Sequence, residues 1–146
     1  METPLKEILN PNKKICAIES DQSLLTAAKM MAEHKVGSLL VNKNGKFQGI
    51  ITERDFAFKI AANNLNLENT KIEQVMTRDI ITINHNATAQ EALQVMTQKR
   101  VRHLPVYDDD NHFLGLLSIG DLAKWVSCRY IEKHDEVEHL YQYIHQ

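Results

Sequence analysis

The sequence predicts an α+β protein in which one β-α-β-β-α unit is written twice, with a helix added at the C-terminal end. Three observations carry this. Displaced by 65 positions, Leu24, Ala27, Ala28 and Met31 fall on Ala89, Ala92, Leu93 and Met96, and Val36 and Val41 fall on Val101 and Val106. Both groups of four have the i, i+3, i+4, i+7 spacing of an amphipathic helix. Each is followed by two short apolar runs joined by turn-forming residues, Asn44-Gly45 in one copy and Asp108-Asp109-Asp110-Asn111 in the other. Past those turns the displacement is 66, so Phe47, Gly49 and Asp55 fall on Phe113, Gly115 and Asp121. The extra residue lies in a turn, where insertions are best tolerated.

Taken in order, each copy opens with a short strand, expected at 15–18 and 80–83. A helix follows, entered through Ser20-Asp21 in the first copy and through Thr88-x-x-Glu91, a capping-box spacing, in the second. Two strands come next, at 37–41 and 47–51 and again at 103–107 and 113–117. A second helix starts after Thr52 and after Ser118. The Asn-rich stretch 63–74 is expected to be a linker between repeats at 5–62 and 75–127. The tail, 128–146, is expected to be helical, with Val137, Leu140, Tyr141 and Ile144 forming an apolar stripe. One copy of about 55 residues is too small for a comfortable core. The two are therefore expected to pack with pseudo-two-fold symmetry around a shared cleft.

Composition narrows the function classes. The chain of 146 residues is 43% hydrophobic and 25% charged, an ordinary globular mix. A net charge of -2 gives the whole protein no electrostatic reason to seek nucleic acid or an anionic membrane. The two cysteines, Cys16 and Cys128, form neither a disulfide framework nor a zinc motif. The first residues lack the apolar run of a signal peptide, and no stretch approaches the roughly 18 apolar residues of a membrane helix. The expected location is the cytoplasm.

The chain is organised around a repeated corner, Gly49-Ile50-Ile51-Thr52-Glu53-Arg54-Asp55 and Gly115-Leu116-Leu117-Ser118-Ile119-Gly120-Asp121. A hydroxyl followed three residues later by a carboxylate at a helix start is, on its own, a capping box. The same atoms suit a nucleotide: a helix N-terminus favours phosphate, and a carboxylate accepts hydrogen bonds from ribose hydroxyls. The two roles are compatible and the residues alone leave both open. In Val101-Arg102-His103-Leu104-Pro105-Val106 two basic side chains precede a proline that marks an edge or a bend, and Arg54 adds a further cation. Singly, Arg102 fits a solvated face and His103 a satisfied core histidine. Together with the aliphatic walls they favour a pocket for a ligand with phosphate, sugar and a flat ring.

These motifs, with Val36-Gly37-Ser38-Leu39-Leu40-Val41, resemble the CBS domain pair, named after cystathionine β-synthase and also called a Bateman module, over roughly Leu5 to Val126. The resemblance implies a regulatory module with no required cofactor. Its ligand would be an adenine nucleotide or related adenosyl compound: AMP, ADP, ATP, S-adenosylmethionine or NAD. It implies that Asp55 with Thr52, and Asp121 with Ser118, hold ribose and phosphate. It implies base contacts from Lys14, Cys16, Val36, Ser38 and Leu116 at the Asp121 site, and from Asp79, Ile81, Val101, His103 and Ile50 at the Asp55 site. Arg102 and His103 would meet phosphate. A homodimer formed through helices, reinforced by Trp125 and the tail stripe, and an unidentified regulated protein complete the expectation. Two departures stand out. Asp79 would repel a phosphate at the Asp55 site, and Ile119-Gly120 replaces Glu53-Arg54 in the second corner.

Other constellations are weaker. His134 and His139 are five apart and share no helical face, so with His145 they make a poor metal cluster. Asp108 to Asn111 hints at a calcium loop, but the sixth position is not Gly and the twelfth is Ile119; a hairpin turn is the better reading. No nucleophile-base set or phosphate-cradling glycine loop is present, which argues against an enzyme. The rival reading is a ligand-free dimerisation or docking module whose corners are caps only.

Overall fold

A computed structural model describes the backbone of residues 2–10 and 12–132 and the side chains of 2–10 and 12–129. The tail stripe Val137, Leu140, Tyr141 and Ile144, and His134, His139 and His145, lie outside the described residues. The chain divides into two compact units, Asn12–Ile80 and Met1–Pro11 with Ile81–Gln146.

The first unit holds β1 (Ala17–Glu19), α2 (Leu24–His34), β2 (Ser38–Lys43) and β3 (Lys46–Thr52), then α3 (Glu53–Asp55) running straight into a π-helical turn, Phe56–Ala61. The second holds α1 (Leu5–Ile8), β4 (Ile83–Asn84), α4 (Ala89–Lys99), β5 (His103–Tyr107), β6 (Phe113–Ser118) and α5 (Ile119–Glu132). Each unit has one three-stranded sheet, ordered β1-β2-β3 or β4-β5-β6, with its first pair parallel and its second antiparallel. A register shift falls at the same place in both hairpins, between Val41 and Asn42 and between Val106 and Tyr107. The repeat thus extends to its bulges.

Alternation along the strands sends one set of side chains to each core. In the first unit Ile18, Leu39, Val41 and Ile51 meet Leu24, Ala27 and Met31 of α2. In the second, Leu104, Val106 and Leu117 meet Ala89, Ala92 and Met96 of α4 and Leu122 of α5. Burying each such aliphatic side chain contributes about 1.5–3 kcal/mol. Ile50 and Leu116, each 7% exposed, belong to the opposite sheet face. Helices α2 and α4 each end on a residue in the left-handed region, Lys35 (φ 53) and Arg100 (φ 54).

The structure differs from the sequence expectation in three places. The cap of α2 is Ser23, not Ser20-Asp21: Ser23 Oγ accepts the Thr26 amide at 3.1 Å. Ser20 is instead buried, its hydroxyl directed to Glu73 at 3.4 Å. The strands expected at 15–18 and 80–83 begin at Ala17 and Ile83. Pro105 shortens β4 relative to β1: in the first unit the Leu40 amide donates to the Cys16 carbonyl (2.9 Å) and β1 pairs from Ala17, whereas Pro105, in the matching position, has no N–H to give and β4 pairs only from Ile83. Pro105 does not mark a sheet edge either. It lies in the middle strand β5, opposite Leu116, just short of where β4 begins to pair at Val106.

The stretch 63–74 is turn and coil up to a 3-10 turn at its end, as a connecting segment would be, and it has a further role. It packs on its own unit: the Leu24 and Leu25 amides at the start of α2 donate to the Thr70 and Leu67 carbonyls (3.0 Å each), and Ile72 is 0% exposed. These are the amides a helix N-terminus leaves without partners. A 3-10 turn, Ile72–Gln74, follows, and Thr77 then pairs with Ile50 on the edge of β3. The N-terminal segment does the same for the other unit. The Ala89 amide donates to the Thr3 carbonyl (3.2 Å), the Leu5 amide to Ala87 (2.8 Å), and Leu5 is fully buried. No helix among the described residues is long and apolar enough to cross a membrane.

Candidate functional site

Each corner forms where the last strand of a sheet turns into a helix. In the first unit the Thr52 amide donates to Asp55 Oδ2 (2.9 Å), the Thr52 hydroxyl lies 3.3 Å from the same oxygen, and the Asp55 amide donates back to Thr52 Oγ1 (3.4 Å). In the second unit the Ser118 amide donates to Asp121 Oδ2 (2.8 Å) and the Asp121 amide to Ser118 Oγ (3.0 Å). A further bond closes each corner from the strand before the hairpin: Glu53 N–H to the Gly37 carbonyl and Ile119 N–H to the Arg102 carbonyl, both 2.9 Å. The capping-box reading of the sequence is therefore realised in both copies, down to the same oxygen.

Asp55 is one of two buried polar residues among those described, at 7% exposure. Its second oxygen, Oδ1, is met by Lys59 Nζ at 3.1 Å. The same ammonium donates to the Val75 carbonyl (3.2 Å) and Thr77 Oγ1 (3.3 Å). Lys59 was not among the sequence candidates. The available signal was its i,i+4 spacing from Asp55, and the π-helical turn beginning at Phe56 carries it over the carboxylate. Trp125 stands at the matching place in the second copy, half-buried against the unit's core and with the Arg129 guanidinium 5.3 Å from its ring centroid.

The remaining sequence candidates fall as follows, each within its own unit. Ser38 lies opposite Thr52 in the β2-β3 ladder, and Val36 is half-buried just before it, its amide bonded to Met31. Cys16 is half-buried against the first core, while Lys14 is exposed and paired with His34 Nδ1 at 2.9 Å. Ile50 is tied to Thr77 in both directions (3.1 and 2.9 Å). Arg54 is exposed, with its guanidinium 5.1 Å from the Phe58 ring centroid, and Asp79 is exposed. In the second unit His103 lies opposite Ser118 in the ladder, Leu116 opposite Pro105, and Ile81 and Val101 pack at the edge of the core. Arg102 is exposed, and the bond it makes at the corner comes from its carbonyl.

Two other features border these elements. Ala89, Leu93, Ile119, Leu122, Ala123 and Val126 line an apolar groove of about 360 Å³ along α4 and α5, with Leu93 38% and Ile119 42% exposed. In the β5-β6 turn Asp108, Asp110 and His112 bring one ligand atom each within 4.8 Å of one another. That cluster has a plain structural role. Asp108 Oδ1 accepts the Asp110 and His112 amides (2.9 and 2.8 Å), with Asn111 in the left-handed region, as the hairpin reading requires.

Comparison with known proteins agrees with this repeat. The CBS domain profile matches residues 5–62 and 72–128. The chain is 37% identical over 130 residues to the CBS domain-containing protein CBSX3, mitochondrial, of Arabidopsis thaliana, covering 86% of this chain and 61% of that relative's length. It is 31% identical to the CBS domain-containing protein YhcV of Bacillus subtilis, over 75% of this chain and 77% of that one. Among solved structures, a protein with CBS domains from Burkholderia ambifaria superposes with a TM-score of 0.78 at 35% identity, covering 85% of this chain and 93% of its own. With both copies matched and two like-built units, the chain belongs to the CBS domain family, as a tandem pair.

Proposed function

We propose that the chain is a regulatory, non-catalytic module that binds an adenine nucleotide or related adenosyl ligand at its Thr52/Asp55 and Ser118/Asp121 corners. It would act as an energy or metabolite sensor in the cytoplasm, read by a partner protein. AMP, ADP, ATP, S-adenosylmethionine and NAD are the candidate ligands. The observation that supports this is a comparison internal to the molecule. The other capping box among the described residues uses Glu91, a long side chain that reaches back across an exposed turn. The corners use Asp instead, and Asp55 is buried although a cap can work in solvent. A short acceptor at both strand ends, buried at Asp55 and half-buried at Asp121, suits a sugar hydroxyl better than it suits capping alone.

Titration calorimetry with the five ligands tests this on the unsubstituted chain, Asp55→Ala, Asp121→Ala and Thr88→Ala. Removing a charged acceptor from a ribose weakens binding by about tenfold or more. Thr88→Ala should lose about 1 kcal/mol of stability and keep its affinity. If nothing binds at millimolar ligand while both Asp variants only melt earlier, the corners are caps and the ligand-free docking reading takes over.

The α4-α5 groove supports a further part of the proposal, self-association into a homodimer. A second copy would present the same apolar side chains to it.

A further inference from the structure

We propose that Lys59 is a positioning residue of the first corner: it fixes the plane of the Asp55 carboxylate for a ribose and ties that carboxylate to the Val75–Thr77 segment. The inference rests on the nucleotide reading above and adds a residue to it.

The torsion that orients a carboxylate is broad and roughly two-fold, so anchors on a single oxygen leave its plane loosely set. The Thr52 amide and hydroxyl both act on Asp55 Oδ2. Lys59 supplies the anchor on Oδ1, at 3.1 Å. An ammonium has three donors and no acceptor, and here three acceptors surround it: Asp55 Oδ1, the Val75 carbonyl and Thr77 Oγ1. Its position is therefore set by backbone as well as by the carboxylate. Each carboxylate oxygen accepts about two hydrogen bonds. A ribose hydroxyl fits the second lone pair of Oδ1. Its neighbour can displace the long 3.3 Å Thr52 hydroxyl contact on Oδ2, which frees that hydroxyl for the ligand.

The contacts form a closed ring. Asp55 leads to Lys59, Lys59 to Thr77, Thr77 to Ile50 through two backbone bonds, and Ile50 along β3 to Thr52, which returns to Asp55. A ligand that pulls on Asp55 thus acts on the segment that leaves the first unit. The indole of Trp125, in the matching place of the second copy, has no ammonium to offer, so the device belongs to the first copy.

The test uses the full chain carrying Asp121→Asn, which keeps the Ser118 cap and leaves the first corner to be read. Affinities for AMP and 2′-deoxy-AMP are measured with Lys59, Lys59→Met and Lys59→Arg, alongside thermal melts. The expected result is about tenfold preference for AMP with Lys59, cut to about twofold or less in Lys59→Met and partly kept in Lys59→Arg. Loss of a distant charge alone would weaken both ligands equally and leave the ratio unchanged. An unchanged ratio in a folded Lys59→Met chain overturns the positioning role and leaves the nucleotide reading intact. AMP binding that vanishes with Asp121→Asn but persists without it overturns the role and confines the ligand to the second corner. No AMP binding by the unsubstituted chain removes both proposals.

Discussion

Substituting alanine for Gly49 puts a methyl group where the structure has no room. A Cβ there would lie 2.6 Å from the Thr77 carbonyl oxygen, 2.9 Å from Met76 Sδ and 3.2 Å from Met76 Cγ. The methionine can swing aside, but the carbonyl is backbone and is held by the Ile50 amide at 3.1 Å. Relief requires Thr77 to withdraw, which gives up its two bonds with Ile50 at about 1 kcal/mol each, or forces overpacking of about 1–3 kcal/mol. A loss of about 2–3 kcal/mol corresponds to a melting shift of roughly 4–10 °C for a chain of this size. The repeat supplies a matched control. A Cβ on Gly115 would meet only Leu9 Cδ2, at an ordinary 3.7 Å. Gly115→Ala should be neutral or stabilised by about 0.5 kcal/mol through the unfolded chain. Because Thr77 is also an anchor of Lys59, Gly49→Ala should weaken nucleotide binding at the first corner as well. Paired thermal melts of the two variants decide the matter. Equal melting temperatures would refute the claim that the Thr77 edge is a tight, stabilising contact.

Two further predictions concern surfaces. If α4 and α5 meet a second copy, Leu93→Lys should convert a dimer to a monomer by sedimentation at micromolar concentration, since it places a charge beside Ile119, Leu122 and Val126; a monomeric unsubstituted chain, or a variant still dimeric, would remove the interface. In the β5-β6 turn, the His112 amide first, with the His112 side chain and the Asp110 amide, holds the Asp108 carboxyl below its usual range, and the Asn84 amide group first, with His85 and Asn86, does the same for Asp109. A lowered folded value means this support is present above the unfolded value of about 3.9 and is lost as pH falls through the folded one. Protection of the Asp110 and His112 amides, relative to unstructured amides at the same pH, should therefore fall below about pH 4, and Asp108→Asn should remove that pH dependence; protection unchanged down to pH 2 would count against it.

Most of the fold was legible because its signals are local. The helix stripes of α2 and α4 and the turn clusters repeat at one spacing, and β5 falls on the expected 103–107. What escaped depends on atoms that residue type does not announce. The shortness of β4 follows from one missing N–H, at Pro105. The stretch 63–74 looks like a loop because its apolar residues have no period, yet Ile72 is buried and its neighbours' carbonyls complete the start of α2. At the corners, the Thr52/Asp55 and Ser118/Asp121 pairs could be read from spacing. The role of Arg102 at its corner could not, because it is played by a carbonyl. Lys59 could be suspected from its spacing, but its other two partners come from Val75 and Thr77, which only the folded chain brings near.

The copies differ along their whole length, and at the corners several of the differences are linked. A Cβ on Gly37 would lie 3.2 Å from Glu53 Oε1, so the glycine makes room for that carboxylate. In the second copy Arg102 takes the place of Gly37 and Ile119 the place of Glu53, so a side chain is present where the carboxylate is gone. Lys59 gives way to Trp125 alongside them. Yet both copies keep the same backbone bond, from residue 53 or 119 to residue 37 or 102, at 2.9 Å. A helix cap needs only the hydroxyl, the carboxylate and those amides, and they are shared. What has changed is charge and bulk on the side chains around them, which capping does not require. That pattern supports two corners under a common demand on geometry and different demands on ligand, and it is the reason to titrate them separately.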